Sequence, residues 1–447
     1  MTAPRLDVIR NCFEGVIPAV LSTCDADGTP NVSLVSQVHY VDCEHVALSY
    51  QFFNKTRRNI LETGMAMTSV VDPENVTDYR LDLVYESTQS EGPIFETMKA
   101  KLAGIASHSG MDGVFRLLGA DIFRVRSIEI GSGPAAVPPS APRNLLAAVR
   151  RTWEELEEAD ELGALFDLVL GCLKRYFSIE HAMILMRDQA VDRLYTVAST
   201  GYSRSGIGSE IALGHGVIGV AAREGVPIRI GHMTSDYSYG AALRDQTLDQ
   251  GMGAGSTTEI PYPGLDAPES QIALPIKVSG RTAGILFAES TESMRFRYDD
   301  EDALALVAAR LGDLMARGLD AVEPQQGTPP ATDASRQINV RHYAADNSVF
   351  IDHDYLVKGV AGAIFWKLVK EYSESGRSDF TNRELRLDPS LRLPEYAENL
   401  EARLVLLQRR LVERECLIQI EKAGRGRMRL CVPGTLVLEE IGPEPEK

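Results

Sequence analysis

Over the first 130 residues, apolar and polar positions trade places about every second residue, the repeat of a half-buried β-strand. Ile17–Thr23 reads as an apolar strand, followed by a turn at Asp25-Ala26-Asp27-Gly28. Val32, Leu34 and Val38 alternate with Ser33 and polar neighbours over Asn31–Tyr40, and Val46–Gln51 is a third strand. Asn54 caps a short helix over Lys55–Glu62. Strands follow at Met65–Val71 and Tyr79–Glu86, then a helix over Pro93–Ala106 and a strand at Phe123–Ile130. Many short strands with turn signals between them predict a barrel.

Beyond residue 143 the spacing changes to three and four. Leu145, Leu146, Val149, Trp153 and Leu156 predict a helix over 144–158, and a second covers Leu162–Tyr176. Strands are expected at His181–Met186, Leu194–Thr200, Glu210–Leu213 and Pro227–Ile230. A hairpin turns at Ser279-Gly280-Arg281 between Ile272–Val278 and Thr282–Glu289, and helix Asp299–Arg317 closes the unit. This order is α+β. Further on, Val360, Ala361, Ile364, Phe365, Leu368, Val369 and Tyr372 form one helical stripe. Thr381-Asn382-Arg383-Glu384 is a capping box, and Pro394 opens a longer helix with Leu400, Leu404, Leu407 and Leu411 inward. In LIQIEKAGRGRMRLCV, Ile418, Ile420, Met428 and Leu430 point inward while Lys422, Arg425, Arg427 and Arg429 take the tip or outer face.

Two stretches rich in Pro, Ala and Ser, GSGPAAVPPSAPR and VEPQQGTPPATDASRQ, divide the chain. The expected layout is a barrel over 1–130, a linker over 131–143, a helix and α+β domain over 144–320, a linker over 321–337 and a last module over 338–441. The net charge of −17 is uneven: residues 331–447 hold 18 Lys+Arg against 19 Asp+Glu, leaving −16 for the rest. An anionic partner is therefore open to the last module and disfavoured elsewhere. No apolar run reaches the ~20 residues of a membrane span, and MTAPRLDVIRNCFEG lacks the apolar core of a secretory signal. The six cysteines form no CxxC or zinc spacing, which fits reduced thiols and a cytoplasmic protein without a metal site.

The stretches IPAVLSTCDADGTPNVSLVSQVHYVD, HVALSYQ and FFNKTRRNIL resemble the pyridoxamine 5'-phosphate oxidase-like family of flavin-binding split barrels. The resemblance implies FMN as cofactor, held at a homodimer interface. Asn54, Lys55 and Thr56 align with that family's phosphate contacts, with Arg57 beside them. Tyr50 stands at a phosphate-contacting Thr and Ser33 at a family Arg, while Ser36, Gln37 and Ser49 are candidate polar contacts to the ring. Free amides at a helix N-terminus, a hydroxyl and two cations suit a phosphate; an ordinary exposed basic first turn would look the same. Catalytic residues are not identifiable, because flavin chemistry needs few protein groups.

Gly214-His215-Gly216-Val217-Ile218-Gly219 matches a dinucleotide fingerprint, with Asp236 near the expected acidic position. The reading is rejected, because VAAREG is too short for a parallel crossover. LGHGVIGVAAREGVPIRI and SQIALPIKVSGRTAGILFAES instead resemble GAF domains. That family binds small molecules over its sheet, which implies a small-molecule ligand of unknown identity here. His215, His232, Tyr237 and Tyr239 are the candidate pocket residues, the last three in a glycine-rich stretch over 232–258. Cys172 sits on a helix, a poor place for bilin attachment.

In layout the last module resembles a winged helix-turn-helix. The resemblance implies possible DNA binding through Arg409, Arg410, Lys422, Arg425, Arg427 and Arg429. Glu395, Glu398 and Glu401 oppose it at the start of the third helix. The fold class expected is thus multidomain α+β: a β split barrel, a GAF-type α/β sandwich and a winged-helix-like module. The function expected is a sensory regulator coupling flavin or small-molecule binding to that output. A flavin-dependent oxidoreductase with a regulatory GAF domain and a ligand-free dimeric scaffold are the rivals.

Overall fold

The structure is a computed structural model that describes residues 5–13, 17–35, 37–50, 54–73, 75–108, 117–132, 144–188, 191–231, 260–317, 337–391, 400–424 and 426–442. It is a mixed α+β, multidomain molecule.

The first unit is a curled antiparallel sheet of seven strands: β1 Ala19–Cys24, β2 Pro30–Val35, β3 Val38–Tyr40, β4 His45–Tyr50, β5 Met65–Val71, β6 Asp78–Gln89 and β7 Gly119–Ser132, in the order β2-β1-β5-β6-β7-β4-β3. Leu21, Val46, Tyr79, Leu81 and Phe123 fill its centre. Helix α1 (Lys55–Thr63) lies against β1, and α2 (Pro93–His108) packs Phe95, Met98 and Leu102 with Ala47, Ala120 and Ile122 of the sheet. The alternation of β2 is real, but its apolar residues face out: Val32 is 66% and Leu34 73% exposed. They continue a strip across Val20, Met65 and Met67 on the neighbouring strands.

The middle unit has helices α3 (Leu145–Leu156), α4 (Leu162–Phe177) and α6 (Tyr298–Arg317) and a six-stranded antiparallel sheet. Its strands are β8 His181–Asp188, β9 Arg193–Thr200, β10 Glu210–Ala212, β11 Ile228–Ile230, β12 Ser270–Val278 and β13 Arg281–Ser290, in the order β10-β9-β8-β13-β12-β11. Helix α5 (Gly216–Glu224) carries the chain from the β10 edge to the β11 edge, so it bridges no parallel pair. The glycine pattern is structural. Gly214 and Gly216 have φ of 85° and 60°, and a Cβ on Gly219 would sit 2.4 Å from the Ala212 carbonyl oxygen.

The last unit opens with a sheet the hydrophobic pattern did not announce: β14 Gln337–Tyr343, β15 Ser348–Ile351 and β16 Asp354–Val357. It is completed by β20 Thr435–Ile441, which pairs in parallel with β14. Between them run α7 (Gly359–Ser375), β17 (Asp379–Thr381), α8 (Asn382–Leu387), α9 (Leu400–Glu413) and the hairpin β18 Gln419–Gly424 and β19 Arg427–Cys431. These three strands stand in the order β17-β19-β18. The expected start of α9 at Pro394 lies outside the described residues. Thr381 Oγ1 accepts from the Glu384 amide at 3.2 Å, the predicted cap.

The units share cores. One apolar cluster runs from Leu165, Phe166 and Val169 of α4 through Leu406 and Leu407 of α9 to Phe365 and Leu368 of α7. On the other side, Ala100 of α2 packs with Val217, Ile218 and Ala221 of α5. There the Arg10 guanidinium lies between the rings of Tyr40 (4.3 Å) and Tyr298 (3.9 Å). Arg229, buried, covers Tyr298 at 4.2 Å and donates to Glu301 at 2.8 Å.

Burial near Lys101, Arg10 and Arg229 lowers His39 from 6.5 to about 3. The unfolded chain therefore takes up a proton that the folded chain refuses. This contribution is full above pH ~6.5 and drains away as pH falls toward ~3. Denaturant titrations should show His39→Gln losing less stability than wild type between pH 7 and 4; equal losses would discard this origin.

Candidate functional site

The strand-to-helix junction at residue 54 builds the first candidate site. Ser33, Ser49, Tyr50, Asn54, Thr56 and Arg57 line a small pocket of about 120 Å³. Asn54 caps α1 by accepting from the Arg57 amide at 3.0 Å. Thr56 Oγ1 accepts from Asn31 Nδ2 (2.8 Å) and donates to Ser33 Oγ (3.1 Å). Lys55 is exposed, 3.9 Å from Asp25. Gln37 is buried and does not line the pocket, and its Oε1 has no hydrogen-bond partner among the described residues. Ser36 lies outside them.

Arg57 decides what this pocket can hold. It is 8% exposed, ion-paired with Asp121, donates to Thr88 Oγ1 at 2.8 Å and lies 4.3 Å above the Tyr50 ring. Thr88 donates in turn to Asp121 at 2.6 Å. Burial pushes the Asp121 carboxyl up; Thr88 and Arg57 pull it down. The guanidinium charge is therefore neutralised inside the chain, and the N3 amide of the helix is already capped. Arg57 is thus committed to Asp121 and is not a free phosphate cation, against the sequence expectation, whereas Lys55 remains at the surface of this helix start.

In the middle unit His215 is exposed at the start of α5, and its side chain makes no capping bond. His232, Tyr237 and Tyr239 lie outside the described residues. The α5-facing side of the sheet holds a polar group that the sequence reading missed. Glu289, 2% exposed, accepts from the Leu265 amide (2.8 Å) and from Gln271 Nε2 (2.9 Å). Burial raises its carboxyl, and the same burial raises the Tyr202 phenol next to it. The available signal was an acid continuing the alternate positions Ile285 and Phe287 on that face. Among the described residues no three His, Cys, Asp or Glu gather as a metal site.

The candidate nucleic-acid cations divide into two groups. Arg410 is 2% exposed: it donates to the Leu356 carbonyl at 3.0 Å and pairs with Glu413 at 2.6 Å. It ties α9 to β16 and is not on the surface, a correction to its assignment as a nucleic-acid contact. Arg409 donates to the carbonyls of Val197 (2.8 Å) and Gly163 (3.0 Å) and to Asp167 (2.8 Å), all in the middle unit. Lys422 pairs with Glu161 at 3.0 Å, and Arg429 with Asp379 at 2.9 Å. Arg427 is exposed, beside a cleft between the two units. Arg425, Glu395 and Glu398 lie outside the described residues.

Residues 161–314 match the family model of the GAF domain, so the middle unit is a GAF domain. Solved structures similar to parts of the chain include the GAF domain of an Acinetobacter phosphoenolpyruvate-protein phosphotransferase: 16% identity, 40% of this chain and 95% of that one, TM-score 0.31. An FMN-binding protein from Syntrophomonas wolfei subsp. wolfei has 18% identity, 28% and 87% coverage and a TM-score of 0.24. Free methionine-R-sulfoxide reductase from Neisseria meningitidis, in complex with its substrate, has 19% identity, 39% and 91% coverage and a TM-score of 0.29. No curated protein matches the chain. No helix among the described residues is long and apolar enough to cross a membrane.

Replacing Asp121 by Ala strands a buried guanidinium. Urea unfolding should show a loss of about 3 kcal/mol, the usual cost of removing one partner of a buried pair. A loss below ~1 kcal/mol would mean that Arg57 finds solvent or another partner.

Proposed function

We propose that the chain is a ligand-responsive regulator in which the GAF domain senses a small molecule and the last module is a winged-helix-like, DNA-binding output. The observation that carries the output reading is the element order helix, strand, helix, helix, hairpin, with β19 between β17 and β18 and cations on the hairpin. The sensing reading is supported by the GAF match and by buried Glu289 and Gln271 on the α5 side of the sheet. The shared core of α4, α9 and α7 gives a physical route between them, because a shift of α4 must be answered by α9.

The barrel is read as a docking and dimerisation unit, and no flavin step is assigned to it. A second copy of the chain would cover the apolar strip of Val20, Val32, Leu34, Met65 and Met67. Leu34→Glu should then convert dimer to monomer in light scattering; an unchanged mass would move the interface elsewhere. Wild-type protein mixed with FMN and desalted should emerge without flavin absorbance. Retained flavin would reinstate the barrel as a cofactor site, and turnover of reduced nicotinamide would favour the oxidoreductase.

The output is tested by anisotropy of a short labelled duplex over a salt series. Arg427→Ala should weaken binding and flatten the slope of log K against log salt by about 1, the loss of one phosphate contact. Binding that ignores both Arg427 and salt would remove DNA from the reading.

A further inference from the structure

The face of the last module that would meet a duplex is turned toward the GAF domain. Helix α9 is buried along both sides. Leu400, Leu407 and Leu411 pack into its own module, while Val405 and Leu406 approach Gly163 and Gly208 of the GAF domain. Its cations meet acids there. Arg403 forms a buried ion pair with Asp188 and stacks 3.7 Å from the Tyr195 ring. Arg409 reaches Asp167, and Lys422 of the hairpin reaches Glu161. Beside these contacts opens a cleft of about 950 Å³, with Arg383, Arg386, Lys422 and Arg427 beside Glu401 on the module side, and Asp160 and Glu161 beside Arg317 on the GAF side. The side chains of Arg383 and Arg427 make no ion pair or hydrogen bond among the described residues.

Resting on the DNA-binding reading above, we propose that the acidic edge of the GAF domain, Glu161 and Asp167 with Asp160 beside them, occupies the DNA-backbone surface of this module and competes with duplex DNA for Arg409 and Lys422. In a chain of net charge −17, cations gathered on one wall attract a polyanion, and carboxylates placed opposite them substitute for phosphates. The cover is sealed by apolar contact as well as by charge. Opening it exposes Val405 and Leu406, so the closed form dominates until GAF ligand binding favours the open one. Arg383 and Arg427, exposed in the cleft lining and unpaired among the described residues, give DNA its first foothold.

Two full-length variants of different physical kind test this. Glu161→Gln with Asp167→Asn removes the competing charges without adding any. Gly163→Trp changes no charge and drives a wedge at the Val405 contact, where even a Cβ would come within 3.7 Å of its methyl groups. Both should bind the labelled duplex at least ~10-fold more tightly than wild type at low salt. The log K against log salt slope should steepen by about 2 as two further phosphate contacts form at ~0.9 each. If neither variant exceeds wild type, the cover is not a competitor and the inference is overturned. Wild-type binding that Arg427→Ala weakens would then keep the DNA-binding reading, whereas no binding by any of the proteins would overturn that reading too.

Discussion

Everything downstream of the first unit hinges on α9 being enclosed by two domains at once. An ion pair taken out of water costs several kcal/mol per ion before its attraction is counted. The Arg403–Asp188 pair is therefore a poor source of net stability and an effective source of register: one-sided loss is costly, and a shifted helix would leave both charges stranded. Adhesion comes from the apolar neighbours, Val405 and Leu406 against the helix and loop of the GAF domain. With adhesion and register supplied by different residues, the interface can have one closed geometry and still open as a unit.

The seven-stranded unit is held to the same GAF domain by other means. Small side chains, Ala100 of α2 and Ala221 of α5, let two helices approach closely, and guanidinium groups stack on tyrosines around them. Helix α2 thus covers part of the sheet face on which Glu289 and Gln271 lie. A change on that face is felt by the barrel on one side and, through the sheet and α4, by α9 on the other. The GAF domain is the mechanical centre.

Much of this was legible in the sequence, and the failures have physical reasons. The strands of the barrel, the GAF hairpin and the leucine stripe of α9 follow from periodicity, because one face of each is buried in its own unit. Val32 and Leu34 obey the same periodicity on the opposite face, since alternation reports two faces without saying which is inside. Leu146 and Trp153 belonged to a helical stripe, yet they are 76% and 39% exposed while Leu145 and Val149 are buried. The arginines misled most. Arg409 and Arg410 look like free cations in one dimension; their partners, Asp167 and the Leu356 carbonyl, are distant in sequence. Arg57 is the same case in the barrel, with Asp121 supplied by a strand far along the chain.

The parallel pairing of β14 with β20 bears on how the molecule is made. The strand that completes the sheet leaves the ribosome about 100 residues after the strand it joins. Domains form in order of synthesis, so the GAF domain stands finished while β14 still presents an open edge. Helix α9 emerges during that interval, apolar on both sides, and the surface waiting for it is the GAF sheet. The GAF domain thereby serves as an assembly jig for the last module: its surface is complete before the helix that docks on it has been made.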